Sequence, residues 1–281
     1  YSSFDPRLGV KYYATDELTL RGAIYRNFSA PGMNQMYRSF ASGTSLTTTN
    51  SSLMPMTNFG QEVGADIKWK EFSFSATWFN NNMDNFIDFV TVCNSNASCA
   101  APYQSAVGLT GITTVNQYNN VGSATFQGYE LIAGWEPLPN KLKFTGFFTS
   151  TSAYLTSSAF PNLERTGAQL GQVPTWTAGA GVDYRPIPEL TLSLNIKSWP
   201  AYWTNTSHTT FADGATLIDI GGSYTINKYA DLYGTIQNLT NVQYLSTGYT
   251  VGSFEGGTTS TSSIPSMGMP FTAMVGVRAR F

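Results

Sequence analysis

The sequence predicts an all-β chain, an antiparallel transmembrane β-barrel segment, on three observations: period-two alternation, strands too long for a soluble sheet, and connections that alternate between short and long. Along 190–197, Leu190, Leu192, Leu194 and Ile196 alternate with Thr191, Ser193, Asn195 and Lys197. Leu142, Phe144, Gly146 and Phe148 alternate with Lys143, Thr145, Phe147 and Thr149 in the same way. At the end, Phe271, Ala273, Val275, Val277, Ala279 and Phe281 face away from Thr272, Met274, Gly276, Arg278 and Arg280. Successive side chains of a strand point to opposite faces, so each segment has one apolar and one polar side.

About eleven strands follow in order. Strands 7–14 and 17–27 meet at the short turn Thr15-Asp16, and 58–70 and 72–90 meet at Lys70-Glu71. Strands 113–136 and 141–156 flank Pro137-Leu138-Pro139-Asn140, and 172–185 and 189–203 flank Pro186-Ile187-Pro188. Strands 214–226 and 230–239 flank Asn227-Lys228-Tyr229, and 270–281 closes the series. Most reach the ~9–11 residues that a tilted strand needs to cross a bilayer, against ~5–6 in soluble sheets. The other connections, 28–57, 91–112, 157–171, 204–213 and 240–269, are long and polar. Short turns at one end and long loops at the other are expected of an outer-membrane barrel, whereas a soluble β-sandwich has no reason to sort its loops by length. Aromatics gather near strand ends, with Tyr12, Tyr13, Trp69, Trp135 and Tyr184 before short turns and Trp78, Phe79, Trp199, Tyr202 and Trp203 on the opposite side. An interfacial girdle would place them so.

Composition agrees. Charged residues make up 11% of the 281, less than half the roughly 25% of a soluble domain. Hydrophobic residues reach 42%, yet no stretch offers the ~18 consecutive apolar residues of a spanning helix. Aromatics at 14% argue against disorder. A net charge of −2 gives no electrostatic case for nucleic acid. Cys93 and Cys99 lie close together in the polar stretch CNSNASC; a local disulfide there suits an oxidising compartment, and two free thiols are the alternative.

The strand count carries a further expectation. With eleven strands the first and last run in the same direction, and single-chain bacterial barrels close with an even number of antiparallel strands. The segment is expected not to close on itself and to be part of something larger.

Several motifs, in order, resemble one family. Pro6-Arg7-Leu8-Gly9-Val10-Lys11-Tyr12, Leu18-Thr19-Leu20-Arg21-Gly22 and Tyr25-Arg26-Asn27-Phe28-Ser29-Ala30-Pro31 are similar to the mid-barrel signature of TonB-dependent outer-membrane receptors. Leu53-Met54-Pro55 with Gln61-Glu62-Val63-Gly64 resembles that family's Leu-x-Pro-Glu and Glu-x-Gly pair, with Met56 where Glu is usual. Asn119-Asn120-Val121-Gly122 with Gly128-Tyr129-Glu130 resembles its Asn-x-Gly and Gly-x-Glu pattern. Ile236-Gln237-Asn238-Leu239-Thr240-Asn241 with Tyr244 resembles its Asn-Leu-x-Asn motif, and Gly276 with terminal Phe281 its insertion signal.

The resemblance implies that residues 1–281 are the carboxy-terminal part of a 22-stranded barrel around a plugged lumen. The plug, the energy-coupling box and the first half of the barrel are not in this sequence. It implies energised uptake of a scarce bulky nutrient across the bacterial outer membrane, foremost a ferric siderophore-type chelate. Saccharide or cobalamin uptake and a passive porin-like barrel are the alternatives. The implied partners are outer-membrane lipid, the TonB energy-coupling complex through the absent amino-terminal region, and a small-molecule substrate, with the complete barrel a monomer.

Nothing in the sequence looks catalytic. No metal-ligand spacing, nucleophile elbow, P-loop or well-placed dinucleotide fingerprint is present, so no enzyme activity, cofactor or metal is expected. Burying Arg or Lys in lipid at the midplane costs about 2–4 kcal/mol, so the charged face is assigned to the lumen. This puts Arg21, Glu62, Asp66, Lys68, Glu130, Lys143, Lys197, Arg278 and Arg280 inside, where the family favours docking of a plug through ion pairs. In the loops, Tyr37, Arg38, Phe40, Tyr103, Arg165, His208, Tyr249 and Phe254 are the substrate-binding candidates, offering stacking surfaces and anion donors for an anionic ferric chelate.

Overall fold

The computed structural model describes residues 1–159, 166–204, 208, 210–251 and 264–279, with only the backbone considered for 247–251 and 264–266. Its body is one meander of eleven antiparallel wall strands, each paired with its neighbours in sequence. They are β1 (Arg7–Tyr13), β2 (Leu18–Ser29), β3 (Met56–Trp69), β4 (Phe72–Cys93), β5 (Thr114–Leu138) and β6 (Leu142–Ser158). The rest are β7 (Trp176–Ile187), β8 (Leu190–Trp199), β9 (Ala215–Asn227), β10 (Ala230–Gln237) and β11 (Thr272–Ala279). Strands β1 and β11 each have one partner, so the sheet has two open edges.

The expected strands are all present, with shifts at ends that have local causes. The strand expected over 189–203 stops at Trp199, because Pro200 offers no N–H to the ladder. Tyr202–Trp203 pairs instead with Phe211–Ala212. The strand expected from 172 begins at Trp176, after Gln172 at φ 64° and Pro174. The strand expected to run to 239 ends at Gln237, since Asn238 is left-handed at φ 50°. Among the described residues, two of the long polar connections contain helices: α1 (Met33–Tyr37) and α2 (Ala97–Ala106).

Directly opposed residues of antiparallel strands share a face. Register therefore sorts the sheet into two sides. On one lie Leu8, Val10, Leu20, Val63, Ile67, Leu131, Phe148, Val182, Leu194, Ile220, Leu232 and Val277. Many are uncovered, with Val63 60% and Val277 65% exposed. A contiguous apolar surface of this extent would aggregate in water and requires another solvent or a partner.

The aromatic girdle differs in detail from the sequence expectation. Tyr13, Phe79 and Trp199 stand on the polar side, Tyr13 in register with Thr19, Phe79 with Glu62 and Trp199 beside Lys197. On the apolar side Trp78, Tyr129 and Trp176 form the border away from the turns. Just beyond them the same face turns polar along Gln61, Asn80, Gln127 and Ser152.

The wall is uneven in height. Strand β5 has 25 residues, ~80 Å at ~3.3 Å per residue, far more than a crossing requires. The most deeply buried side chains lie on these extensions rather than at mid-wall. Val90, Val121, Ala124, Ala153, Leu155 and Leu170 form one cluster, and Leu46, Cys93, Ala100, Ile112 and Val115 another. Loop segments supply Leu46, Ala100, Ile112 and Leu170, so the long connections fold down onto the tall strands. Where β4 rises from wall to extension it bulges between Met83 and Phe86, with Asn85 at φ 55° just before Phe86, which opposes Gly122. A bulge at this point bends the strand and changes its aim.

Candidate functional site

The polar side is built in rows. Lys11, Arg21, Gly64, Thr77, Glu130, Thr149 and Thr177 oppose one another across seven strands. Nearer the turns run Asp66, Ser75, Ile132, Phe147, Gly179 and Lys197, then Lys68, Ser73, Gly134, Thr145, Gly181, Asn195 and Asp219. Lys143 opposes Asp183, and Asp231 opposes Arg278. Arg21, Glu62, Asp66, Lys68, Glu130, Lys143, Lys197 and Arg278 thus share one face, while Arg280 lies outside the described residues. Lys11, Asp183, Asp219 and Asp231 join them; the alternation that selected the others also selects these, but they were not singled out from sequence.

At the centre of this face the Arg21 guanidinium is held through Nε and Nη2. Its Nε lies 3.1 Å from Asp66 Oδ2, and Nη2 donates to Ser75 Oγ at 3.1 Å and to Thr77 Oγ1. Ser75 Oγ donates to Asp66 Oδ1 at 2.6 Å. The guanidinium crosses the adjacent strand at Gly64, where an added Cβ would come 2.8 Å from both Arg21 Cζ and the Ala76 carbonyl oxygen. Beside it the Tyr25 ring crosses Gly60, and its hydroxyl donates to Glu62 Oε1 at 2.8 Å. Two glycines in one strand therefore let a long side chain from β2 lie flat over β3. Gly64→Val is expected to displace Arg21 and to lower stability by about 1–2 kcal/mol, since a part-exposed ion pair adds little and the backbone clash dominates. Chemical unfolding of the complete protein in detergent would measure it.

These groups surround a recess of about 390 Å³, bounded by Arg21, Glu62, Ser75, Thr77, Phe79, Asn81, Glu130 and Ile132. Two carboxylates, Glu62 and Glu130, open onto it. The Glu130 carboxylate makes no hydrogen bond among the described residues, so a negative group stands ready for a cationic or donor partner. Among the described residues no three His, Cys, Asp or Glu side chains gather as a metal site.

At the other end of the tall strands, amides hold the loops. Asn120 Oδ1 accepts from Met54 N at 2.9 Å while its Nδ2 donates to Met54 O at 3.0 Å and to Asn85 O at 2.8 Å. Asn50 Nδ2 donates to Tyr118 O at 2.9 Å, and Gln117 Nε2 to Thr49 O at 2.7 Å. The Leu-x-Pro and Asn-x-Gly segments noted in sequence are therefore two halves of one anchor, with Leu53 of the first buried. Ser45–Thr48 continues the contact as a short parallel strand beside Thr114–Gln117. Cys93 and Cys99 are joined by a disulfide that ties α2 to the end of β4.

The loop candidates separate. Tyr37 and Arg38 end α1 and are exposed, and Phe40 stands exposed in the following hairpin. Tyr103 packs against the Leu46–Val115 cluster, which gives it a structural task. His208 stacks on Trp203 with centroids 4.6 Å apart, and its Nε2 lies 2.5 Å from the Gln169 carbonyl oxygen, joining two loops. Burial pushes the neighbouring Tyr202 phenol above its ordinary pKa. Arg165, Phe254 and the Tyr249 side chain lie outside the described residues.

A second anchor closes the base of the last long loop. Asn238, 2% exposed, donates through Nδ2 to Val242 O at 2.8 Å and Met269 O at 3.0 Å, and its Oδ1 accepts from Val242 N at 2.8 Å. Its own N–H donates to Asp219 Oδ1 at 2.8 Å. Asn241 Oδ1 accepts from Phe271 N at 2.9 Å. The Asn-Leu-x-Asn motif is thus a staple between β9, β10 and the approach to β11.

Residues 1–239 match the model of the family described as TonB dependent receptor-like, beta-barrel. The ferrienterobactin receptor of Escherichia coli is 22% identical over 262 residues, 85% of this chain and 32% of the relative. The ferric yersiniabactin uptake receptor FyuA from Yersinia pestis superposes with a TM-score of 0.68 at 15% identity, covering 98% of this chain and 37% of that one. The copper transporter OprC superposes with a TM-score of 0.73 at 13% identity, over 98% and 39%. At these identities the solved structures establish the fold alone. The chain spans a quarter to a third of the length of the curated relatives it matches.

Proposed function

Given that the chain belongs to the TonB-dependent receptor-like β-barrel family, a family of the bacterial outer membrane, we propose that it forms the carboxy-terminal part of a larger barrel that takes up a ferric siderophore-type chelate. The apolar side meets lipid, and the polar side lines the lumen. Curated relatives matched over most of the chain are named as receptors for ferric enterobactin, which supports the substrate class. The observation that carries the reading is the recess on the polar side, with Glu62 and Glu130 opening onto it beside the satisfied Arg21–Asp66 pair.

An internal plug fits this surface. Its mid-wall charges are mixed in sign, unlike a single-sign filter for one ion. The two carboxylates would receive cationic side chains of a plug, while the glycine-backed Arg21 and Tyr25 keep the wall flat enough for close contact. Energy would arrive from the TonB complex through the amino-terminal region of the complete receptor. Tyr37, Arg38 and Phe40 at the mouth would meet the substrate first. A monomer suffices, because each barrel holds its own path.

Deletion of the gene in an iron-starved host is expected to abolish growth on at least one ferric chelate from a panel that also includes a saccharide and cobalamin. Restored growth on re-expression, and its loss when Glu62 and Glu130 are both replaced by Gln, would support the reading. Unimpaired growth on every chelate would sink it.

A further inference from the structure

The outward, apolar side of the wall ends at the long-loop border in a row of neutral amides. Gln61 opposes Asn80, Asn80 opposes Gln127, and Gln127 opposes Ser152. Four adjacent strands, β3 to β6, thus set polar side chains in one line on one face. Strands lie ~4.8 Å apart, which makes the line about 14 Å long. The side-chain amides of Gln61, Asn80 and Gln127 make no hydrogen bond among the described residues, and all three residues are half-buried. A half-buried amide that the protein leaves unsatisfied takes its partner from outside.

Aromatic groups flank the line on both sides. Toward the short turns stand Trp78, Tyr129 and Trp176, with Tyr129 57% exposed. Toward the long loops, the next row holds Arg26, Phe59, Asn82, Thr125 and Tyr154. Phe59 is uncovered there, and Arg26 is exposed and in no ion pair among the described residues. Asp84, two residues past Asn82, accepts the Ser123 hydroxyl at 2.9 Å.

A glycerophospholipid meets the aromatic border but brings no run of hydroxyls to the line. A sugar headgroup does. Each ring hydroxyl both donates and accepts, as an amide does, and the C–H face of the ring lies well on an exposed aromatic. A phosphate on that sugar finds Arg26. We propose that the outward face of β3–β6 at this border binds the phosphorylated sugar headgroup of the glycolipid that forms the outer leaflet of the bacterial outer membrane. The surface points away from the lumen, so it is separate from the recess at Glu62 and Glu130. It rests on the proposed lipid-facing side alone, and the nature of the transported substrate does not enter.

Native mass spectrometry of the complete receptor is the test, with the protein released from detergent containing either lipid A, an acylated glucosamine disaccharide with two phosphates, or phosphatidylglycerol. The unsubstituted receptor is expected to retain lipid A about tenfold more than phosphatidylglycerol. Gln61→Ala, Asn80→Ala and Gln127→Ala combined should cut lipid A retention about tenfold, about twofold for each amide, and leave phosphatidylglycerol unchanged. Arg26→Ala should cut it about threefold and have no effect on lipid A stripped of its phosphates. Equal retention of the two lipids, or lipid A retention that survives the triple substitution, would overturn the headgroup site and leave the lipid-facing side standing. Retention of neither lipid would overturn both.

Discussion

Leu194→Arg is expected to destabilise the barrel by about 2–4 kcal/mol, and Asn195→Arg, one residue away, by less than about 0.5 kcal/mol. Leu194 sits mid-strand on β8, opposite Val182 and Ile220, so its side chain belongs to the uninterrupted apolar surface. Placing a guanidinium there at bilayer depth leaves it without water or a counter-charge. Asn195 opposes Gly181 and Asp219 on the polar side. An arginine there gains room over the glycine and a carboxylate to meet. Unfolding of the complete receptor in bilayers, followed for each variant, gives the difference directly. Equal losses at the two positions would mean that the two faces do not see different solvents.

Asn238→Ala is expected to cost about 4 kcal/mol. Three side-chain hydrogen bonds are lost at a site that water does not reach. The Val242 N–H and the Val242 and Met269 carbonyls are left without partners, and each such orphan typically costs about 1 kcal/mol or more. The left-handed backbone at φ 50° adds about 1 kcal/mol for a residue with a Cβ and no local polar group. Asn238→Gly relieves the backbone but not the orphans, so its loss should be smaller by about 1 kcal/mol. A lowered midpoint together with faster proteolysis at 240–269 would be the signature. A lowered midpoint with unchanged proteolysis would place the staple in the wall and not in the loop base.

Much of this architecture was legible because a strand's side-chain period is two and a bilayer demands length. Alternation in 190–197 and 142–149 fixed both faces, and parity alone placed Arg21, Glu62 and Lys197 together. The same parity would have placed Asp183, Asp219 and Asp231 with them, had every polar position been followed across the turns. Strand ends were overrun where a local break falls inside an expected strand: Pro200 ends β8 short of 203, and Asn238 ends β10 short of 239 by entering the left-handed region.

What the sequence did not show is non-local. Nothing near residues 45–48 announces a parallel pairing with 114–117, since the two segments are brought together by the fold. Helix α2 has a weak local signature: ASCAAPYQSA is not strongly amphipathic and holds Pro102 inside it, so the Asn96 cap on Cys99 N and the burial of Ala100 against Leu46 and Val115 keep it in place. Tyr103 and His208 read as ligand groups because they are polar aromatics in loops. Packing gives each a structural partner, which parity and composition cannot anticipate.

The apolar face of the wall meets lipid and the polar face meets water. Single nitroxide labels at successive positions from Leu190 to Lys197, in the complete receptor reconstituted in bilayers, report collisions with lipid-soluble oxygen and with a water-soluble nickel chelate. A strict alternation is expected, with oxygen contact high at Leu190, Leu192, Leu194 and Ile196 and nickel contact high at Thr191, Ser193, Asn195 and Lys197. Equal access at both sets of positions, or the opposite alternation, would contradict it.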